Sequence, residues 1–492
     1  MPAGSVIARN QSPLSWRPMS TVSRLPGSPE ADVPEPGLLR LAWPIFAEQS
    51  LHMLTNVVST LMASRIGDNA VAALGSATQI LVMFLVGFNV LAVGASIATT
   101  HHLGLGDRSG ARRMARGAVA TNLWLGALFS VLLGVTAPTL LRWAQLTPPL
   151  MAYAQPYLHW MGGTLFLESM NFALCAVLRA HGHTREVMFV ILAQNVVNAG
   201  LSALLIFGLG GLPQLGVTGI AIAAATSRLL ACAALWMIVN HHIKLRMRPS
   251  DLVRIHLADL RRLLSLGFPA VLENVSWFGS FMIITALTAR MGERMLATQA
   301  YTMQIAQIEM LACLSIGIGN EIIVGRLIGA GRFEDARKRC LANLRLGLII
   351  TVGVAIVFAV LGPWALHLFT DDPQIVALGR TLILLGLLLE PGRCFNLIII
   401  NALRAGGDSR FPLIAGIISQ WGIMLFGSWL LGTALGFGLI GVWVALILDE
   451  WLRGLFMLQR WRRGRWLKHA RRVQGEAAAH PATAALQSRS YT

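Results

Sequence analysis

Two glutamates sit where an acid is expensive. Residues 41–50 read LAWPIFAEQS and residues 266–275 read LGFPAVLENV. In each, the acid, Glu48 or Glu273, follows a proline by four positions inside a long apolar run. A carboxylate in hydrocarbon costs at least about 2.5–3.5 kcal/mol on insertion scales. Desolvation favours the neutral acid, so a carboxyl that a cavity alternately wets and dries can take up a proton and release it. Proton carriage is the chemistry these two positions suggest. After Glu48, residues His52, Asn56 and Ser59 follow at i+4, i+8 and i+11 and share one helical face at about 100° per residue. His52, one turn on, could share a proton with Glu48. Pro44 frees backbone groups a turn earlier. After Glu273 the stripe is thinner: Ser276, Ser280, and Trp277, whose ring could stack on a flat or cationic substrate. Hydrogen bonding between helices is the alternative role for all of these groups.

Other polar residues interrupt other apolar runs. Glu168, Asn171, Gln194, Asn195, Asn198, Gln304, Glu309, Glu390, Arg393 and Asn396 join Asn56, Ser59 and Trp277 as candidates for lining a substrate cavity. Glu390 and Arg393 are close enough for an intrahelical pair; alternatively Arg393 meets an anionic group of the substrate. Glu321 and Asp449-Glu450 are further acids in apolar surroundings. The pairs His101-His102 and His241-His242 point their members about 100° apart on a helix, a poor geometry for one metal. His181-Gly182-His183 reads as a short turn. No metal and no cofactor are expected. The sequence holds no P-loop, nucleophile elbow or HExxH motif, so neither ATP hydrolysis nor an enzyme of those classes is indicated.

The elements that must hold these groups are membrane helices. Of 492 residues, 55% are apolar and 13% charged, against about 25% charged in soluble domains. The fold class expected is all-α integral membrane protein, with twelve transmembrane helices in two homologous six-helix bundles. The spans fall near 38–65, 70–103, 118–143, 150–179, 186–209, 215–243, 263–290, 295–328, 342–369, 376–404, 411–434 and 438–460. The net charge is +17. Its basic residues crowd alternate connections, as in GDRSGARRMARG at 106–117 and GRFEDARKR at 331–339, and the stretch QRWRRGRWLKHARR at 459–472. The positive-inside bias places both termini and these connections in the cytoplasm, and the chain in the inner (plasma) membrane. Their partners are then membrane lipid headgroups, with no nucleic acid. The five cysteines, Cys175, Cys232, Cys313, Cys340 and Cys394, form no CxxC pair and read as packed free thiols. Residues 1–37, rich in Ser, Pro and Arg without an apolar h-region, read as a disordered cytoplasmic leader. Residues 461–492 read as a basic, largely disordered tail.

A single offset links the halves. Adding 225 takes Pro44 to Pro269, Glu48 to Glu273, Gln79 to Gln304, Gly94 to Gly319, Gly104 to Gly329 and Asn171 to Asn396. LRAHGHTR at 178–185 lands on LRAGGDSR at 403–410. After a small deletion, LGVTGIAIA at 215–223 meets FGLIGVWVA at 437–445. The same offset sets Glu168 against Arg393, so the halves differ in charge there. Six helices per repeat leave both halves with the same orientation, related by an axis along the membrane normal. The lobes are drawn at 38–243 and 263–460, joined by the cytoplasmic linker 244–262. Two such bundles around a midplane cleft are the architecture of alternating access.

The run LAWPIFAEQSLHMLTNVVSTLMASRIGDNAVAALG, the connection LGLGDRSGARRMARG and LRAHGHTR, with SIGIGNEIIVGRLIGAG and LRAGGDSR in the second half, resemble the multidrug and toxic compound extrusion (MATE) family over about 38–460. The resemblance implies a V-shaped pair of six-helix lobes. It implies a secondary antiporter that exports small organic compounds, often cationic and amphipathic, in exchange for H+ or Na+. A monomer is expected to suffice. Many members carry an aspartate in the first helix where this chain has Ser59. Many Na+-linked members carry a glutamate where this chain has Trp277, one turn beyond Glu273. Near the aspartate that some carry in helix 10, this chain offers Arg393 and Asn396. Ion coupling is therefore assigned to Glu48, Glu273 and His52 from their own placement in the apolar runs. H+ is favoured over Na+, because a lone buried carboxyl beside a histidine suits a proton better than a multi-oxygen cation cage. The alternatives are a lipid-linked precursor flippase and an exporter of an anionic metabolite.

Overall fold

The computed structural model describes residues 37–208, 211, 213–245, 247, 251 and 256–477. The leader, all but one residue of it, and much of the 244–262 linker lie outside the described residues. Twelve helical spans follow one another: α1 (Leu38–Ser64), α2 (Asp68–Gly104), α3 (Arg108–Trp143), α4 (Pro148–Gly163 and Leu165–His181), α5 (Thr184–Phe207), α6 (Gly216–Ile243), α7 (Leu257–Arg290), α8 (Glu293–Gly329), α9 (Phe333–Leu366), α10 (Pro373–Ala405), α11 (Arg410–Ala434) and α12 (Gly438–Arg462). Among the described residues, nine of these are long and apolar enough by themselves to cross a membrane, and α4, bent by 49°, makes a tenth. The remaining two, α1 and α12, are diluted by the polar groups that matter most below: Glu48 on α1, and Asp449, Glu450 and Arg453 on α12.

Three expectations need correction. Helices α3, α7 and α9 begin at Arg108, Leu257 and Phe333, well before the expected 118, 263 and 342. Their basic connections are Arg- and Ala-rich and therefore good helix formers, and Asp107 caps α3 by accepting from the Gly110 amide at 2.9 Å. The tail is ordered as far as residue 477: residues 467–477 are helical. Trp461 and Trp466 are fully buried and stacked, with centroids 4.1 Å apart and planes 7° apart. Together with Ala470 they join the apolar cluster beneath α8–α10. Charge density suggested disorder, but the apolar face of this segment decides the outcome. Finally, α11 is α-helical only over Arg410–Ser419 and then passes through π-helical turns at Gln420–Leu425 and Ser428–Ala434. Such turns collect at functional positions.

The repeat is visible as contacts. Ser96 donates to Glu321 Oε1 at 3.2 Å, and these two residues are 225 apart. Two positions related by the repeat can touch only on the axis that relates the bundles. Around that point the contacts come in matched sets. A Cβ on Gly104 would sit 2.0 Å from the Arg326 carbonyl oxygen, and one on Gly329 would sit 2.1 Å from that of His101. Only glycine allows α2 and α8 to cross that closely. His101 Nε2 donates to Ala405 O, and Arg326 Nη2 donates to Ala180 O, both at 2.7 Å. All of these pairs obey the same offset. The N-terminal ends of α1 and α7 cross over, α1 packing on α8 and α7 on α2. Large apolar side chains such as Val131, Val135, Ile349 and Val360 point outward, the surface that hydrocarbon would cover.

Candidate functional site

Each of the two glutamates faces an arginine. Glu48 is buried on α1, and Arg179 Nη1, near the end of α4, lies 3.5 Å from its Oε1. Its Oε2 has no hydrogen-bond partner among the described residues. Glu273 is buried on α7, with Arg404 Nη2 at 2.8 Å from Oε2 and Arg453 Nη1 at 3.6 Å from Oε1. Arg179 and Arg404 are again 225 apart, the second residue of LRAHGHTR and of LRAGGDSR. The two pairs are therefore one contact, made twice. Gly416 leaves room for the Glu273 side chain, whose Cγ lies 3.0 Å from where a Cβ would be. The expectation of a lone carboxyl beside a histidine does not hold. His52 is exposed, and among the described residues no hydrogen bond or ion pair joins it to Glu48.

A second equivalence carries reversed charge. On α4, Glu168 Oε2 meets Arg228 Nε of α6 at 2.9 Å. With the 225 offset, and 222 after the deletion, the matching positions are Arg393 on α10 and Glu450 on α12. These too meet, Arg393 Nε lying 3.9 Å from Glu450 Oε1. Acid and base have changed places between the bundles. The amides keep step: Asn171 donates to the Arg228 carbonyl at 3.3 Å, and Asn396 donates to Glu450 Oε2 at 2.8 Å. Asn195 donates to Leu51 O at 2.9 Å, and its repeat mate Gln420, in the π-helical stretch, donates to Glu273 O at 3.5 Å.

The C-terminal bundle then goes further. Arg393 pairs along its helix with Glu390 at 2.5 Å. Arg453 reaches Asp449 at 2.9 Å and Glu450 at 3.1 Å as well as Glu273. Glu309 is buried within electrostatic reach of Glu390 and Arg393. This connected set holds five acids, Glu273, Glu309, Glu390, Asp449 and Glu450, against three arginines, Arg393, Arg404 and Arg453. Its N-terminal counterpart holds Glu48 and Glu168 against Arg179 and Arg228 and balances, apart from Glu321 on α8, which is within electrostatic reach of both Arg179 and Arg404 and is shared by the two sets. A buried charge without a partner is strongly disfavoured, and the arginines of the C-terminal set do not match its acids one for one.

The other sequence candidates scatter. Thr55 donates to Asn195, drawing the α1 stripe toward α5, while Asn56 is exposed and Ser59 half-buried. Asn198 accepts from Ser202 at 3.1 Å. Gln194 lines an apolar groove between α5 and α6, and Gln304 is exposed. Trp277 stacks on Phe281 with centroids 5.1 Å apart. Sequence reasoning missed Arg179, Arg404 and Arg453 as partners. The first two were findable, since the repeat that aligned the glutamates also aligned their arginines.

Residues 44–204 and 269–430 each match the MatE family description, MatE. Their starting points, 269 and 44, differ by the same 225. The chain belongs to the MatE family. A relative named "Uncharacterized transporter YisQ" from Bacillus subtilis (strain 168) is 37% identical over 431 residues, covering 88% of this chain and 95% of its own length. One named "Probable multidrug resistance protein NorM" from Pseudomonas putida is 30% identical over 425 residues, covering 84% and 90%. A solved structure described as "Outward-facing conformation of a multidrug resistance MATE family transporter of the MOP superfamily" matches with TM-score 0.79 and 19% identity, over 88% of this chain and 96% of that one. Another, from Pyrococcus furiosus, is described as "Reverse polarity of binding pocket suggests different function of a MOP superfamily transporter" and matches with TM-score 0.78, 19% identity and the same coverage. This MatE chain is thus a multi-pass membrane transporter of twelve helices in two six-helix bundles.

Proposed function

We propose that this MatE protein is a secondary antiporter that exports small, mainly cationic organic compounds across the plasma membrane in exchange for protons. The reading rests on one observation: the buried C-terminal network holds two more carboxyls than arginines. When the bundle is closed and dry, the surplus must be met by protons or by a cationic substrate. When the cavity opens to water, the acids can exchange one for the other. Competition of H+ and substrate for the same carboxyls is what antiport requires. Glu273, Glu390, Glu309 and Asp449-Glu450 would carry the exchange, with Glu48 as the N-terminal counterpart of Glu273. Arginines inside the site disfavour a Na+ cage, which needs neutral or anionic oxygens. The Pseudomonas putida relative, a probable multidrug resistance protein by name, supports drug-like substrates. The basic connections favour cytoplasmic termini, and 38–243 and 263–460 would act as the two moving bodies. The absence of a recognisable catalytic motif supports transport without chemistry on the cargo.

The test is dye movement in proteoliposomes under a proton gradient or a sodium gradient, with ethidium as the probe. Movement driven by the proton gradient alone, and lost in Glu273→Gln, is the expected result. Movement that follows sodium only, or that survives in Glu273→Gln/Glu390→Gln, would overturn the reading. An anionic dye transported in place of ethidium would move the substrate class to anionic metabolites.

A further inference from the structure

Two histidine motifs that separately offer poor ligand geometry come together in the fold. His183 stands at the N-cap position of α5, Glu186 three residues on, and His242 comes from the last turn of α6. One ligand atom from each of the three lies within 4.8 Å of the others. His183 Nδ1 and Glu186 Oε1 are 3.0 Å apart, and the His183 and His242 ring centroids are 4.4 Å apart. Tetrahedral coordination at about 2.0–2.2 Å per bond separates its ligand atoms by about 3.3–3.6 Å. The His183–Glu186 edge is already near that spacing. His242 is exposed, so its ring can swing in without disturbing the core, and it leaves a path from solvent.

We propose that His183, Glu186 and His242 bind a first-row divalent metal ion of the zinc class, with water in the fourth position. Two imidazoles and one carboxylate are the nitrogen and oxygen donors that Zn2+, Co2+ and Ni2+ prefer, and a poor set for Mg2+ or Ca2+. The site lies wholly within the N-terminal bundle and shares no residue with the carboxyls of the transport reading. It ties the start of α5 to the end of α6. Those helices flank a groove of about 430 Å³ lined by Glu186, Phe189, Val190, Gln194, Leu230 and Ile238. Glu186 belongs to both, so metal occupancy neutralises the one acid of the groove and clamps its mouth.

The experiment is a Co2+ titration of the full-length chain in nanodiscs, purified without a polyhistidine tag, followed by the visible ligand-field absorption of the metal and by elemental analysis after desalting. One ion per chain is expected, displaced by Zn2+. Binding weakened at least about tenfold in His242→Asn, in His183→Asn and in Glu186→Gln is the supporting result. His241→Asn should leave binding unchanged. No ligand-field band in the wild type at stoichiometric Co2+, or loss of binding with His241→Asn but not with His242→Asn, would overturn the assignment. The wild-type spectrum decides even if a variant fails to fold, and Zn2+ should raise the thermal midpoint of the wild type but not of His242→Asn.

Discussion

The Glu48–Arg179 and Glu273–Arg404 pairs occupy equivalent places, yet they live in different company. In the N-terminal bundle the arginine stands 3.5 Å off and, apart from the shared Glu321, the nearby charges balance. In the C-terminal bundle the arginine is at 2.8 Å, a second arginine joins at 3.6 Å, and acids outnumber arginines. The repeat kept the contact and changed its surroundings. A duplicated motif therefore marks where the lobes are built alike, and the unmatched groups around it mark where they work differently. Arg453 is the clearest of those: on the 222 offset its N-terminal equivalent is Ala231, a residue of the apolar core.

The largest effect should come from removing that unmatched arginine. Arg453→Met strips a partner from Glu273, Asp449 and Glu450 at once, and breaking a buried pair from one side costs about 3–5 kcal/mol. A thermal scan in detergent should show a sharply lowered midpoint, with no transport. Unchanged stability would mean that water already reaches these acids, and the contrast between the bundles would collapse. Next, Glu273→Gln keeps shape and removes charge. Proton-driven export should fall about a hundredfold, near 2.7 kcal/mol, with chromatographic behaviour preserved. Glu48→Gln should cost less, about fivefold or 1 kcal/mol in transport rate, because the acids of its own bundle, Glu48 and Glu168, are each matched by an arginine. If Glu48→Gln were the more damaging of the two, the comparison would have to be inverted.

The sequence made much of this legible, for identifiable reasons. Hydropathy located the helices because a bilayer demands about 20 apolar residues per span. The 225 offset located the lobes because duplication preserves spacing. What escaped was pairing that the repeat does not mirror. Arg453 has no repeat mate, so no internal comparison flagged it, and its three partners lie on its own helix and on α7. The expected link of Glu48 to His52 failed because helical spacing says which residues share a face, and not which neighbour that face meets. The ordered segment 467–477 was hidden by its charge, though Trp461, Trp466 and Ala470 share an apolar side.

The smallest expected effect probes the axis itself. Ser96 and Glu321 touch at 3.2 Å and are each other's repeat equivalents. Glu321 is buried and sits within electrostatic reach of both Arg179 and Arg404, the two repeat-related partners of the coupling acids. If the contact lies on the axis, the carboxylate can hang from either helix and still face both arginines. Glu321→Ser alone removes it and should impair both stability and export. Ser96→Glu alone puts two acids at one buried point, and like charges there oppose each other. The double variant Ser96→Glu/Glu321→Ser moves the acid across the axis and restores one acid and one hydroxyl. Its thermal midpoint and transport rate should return to within about 0.5 kcal/mol of the wild type, leaving a large non-additive term in the double-mutant cycle. Failure of that rescue, with both single variants folded, would mean that the two bundles present different fields to the axis. The asymmetry now placed around Glu273 would then extend to the centre of the molecule.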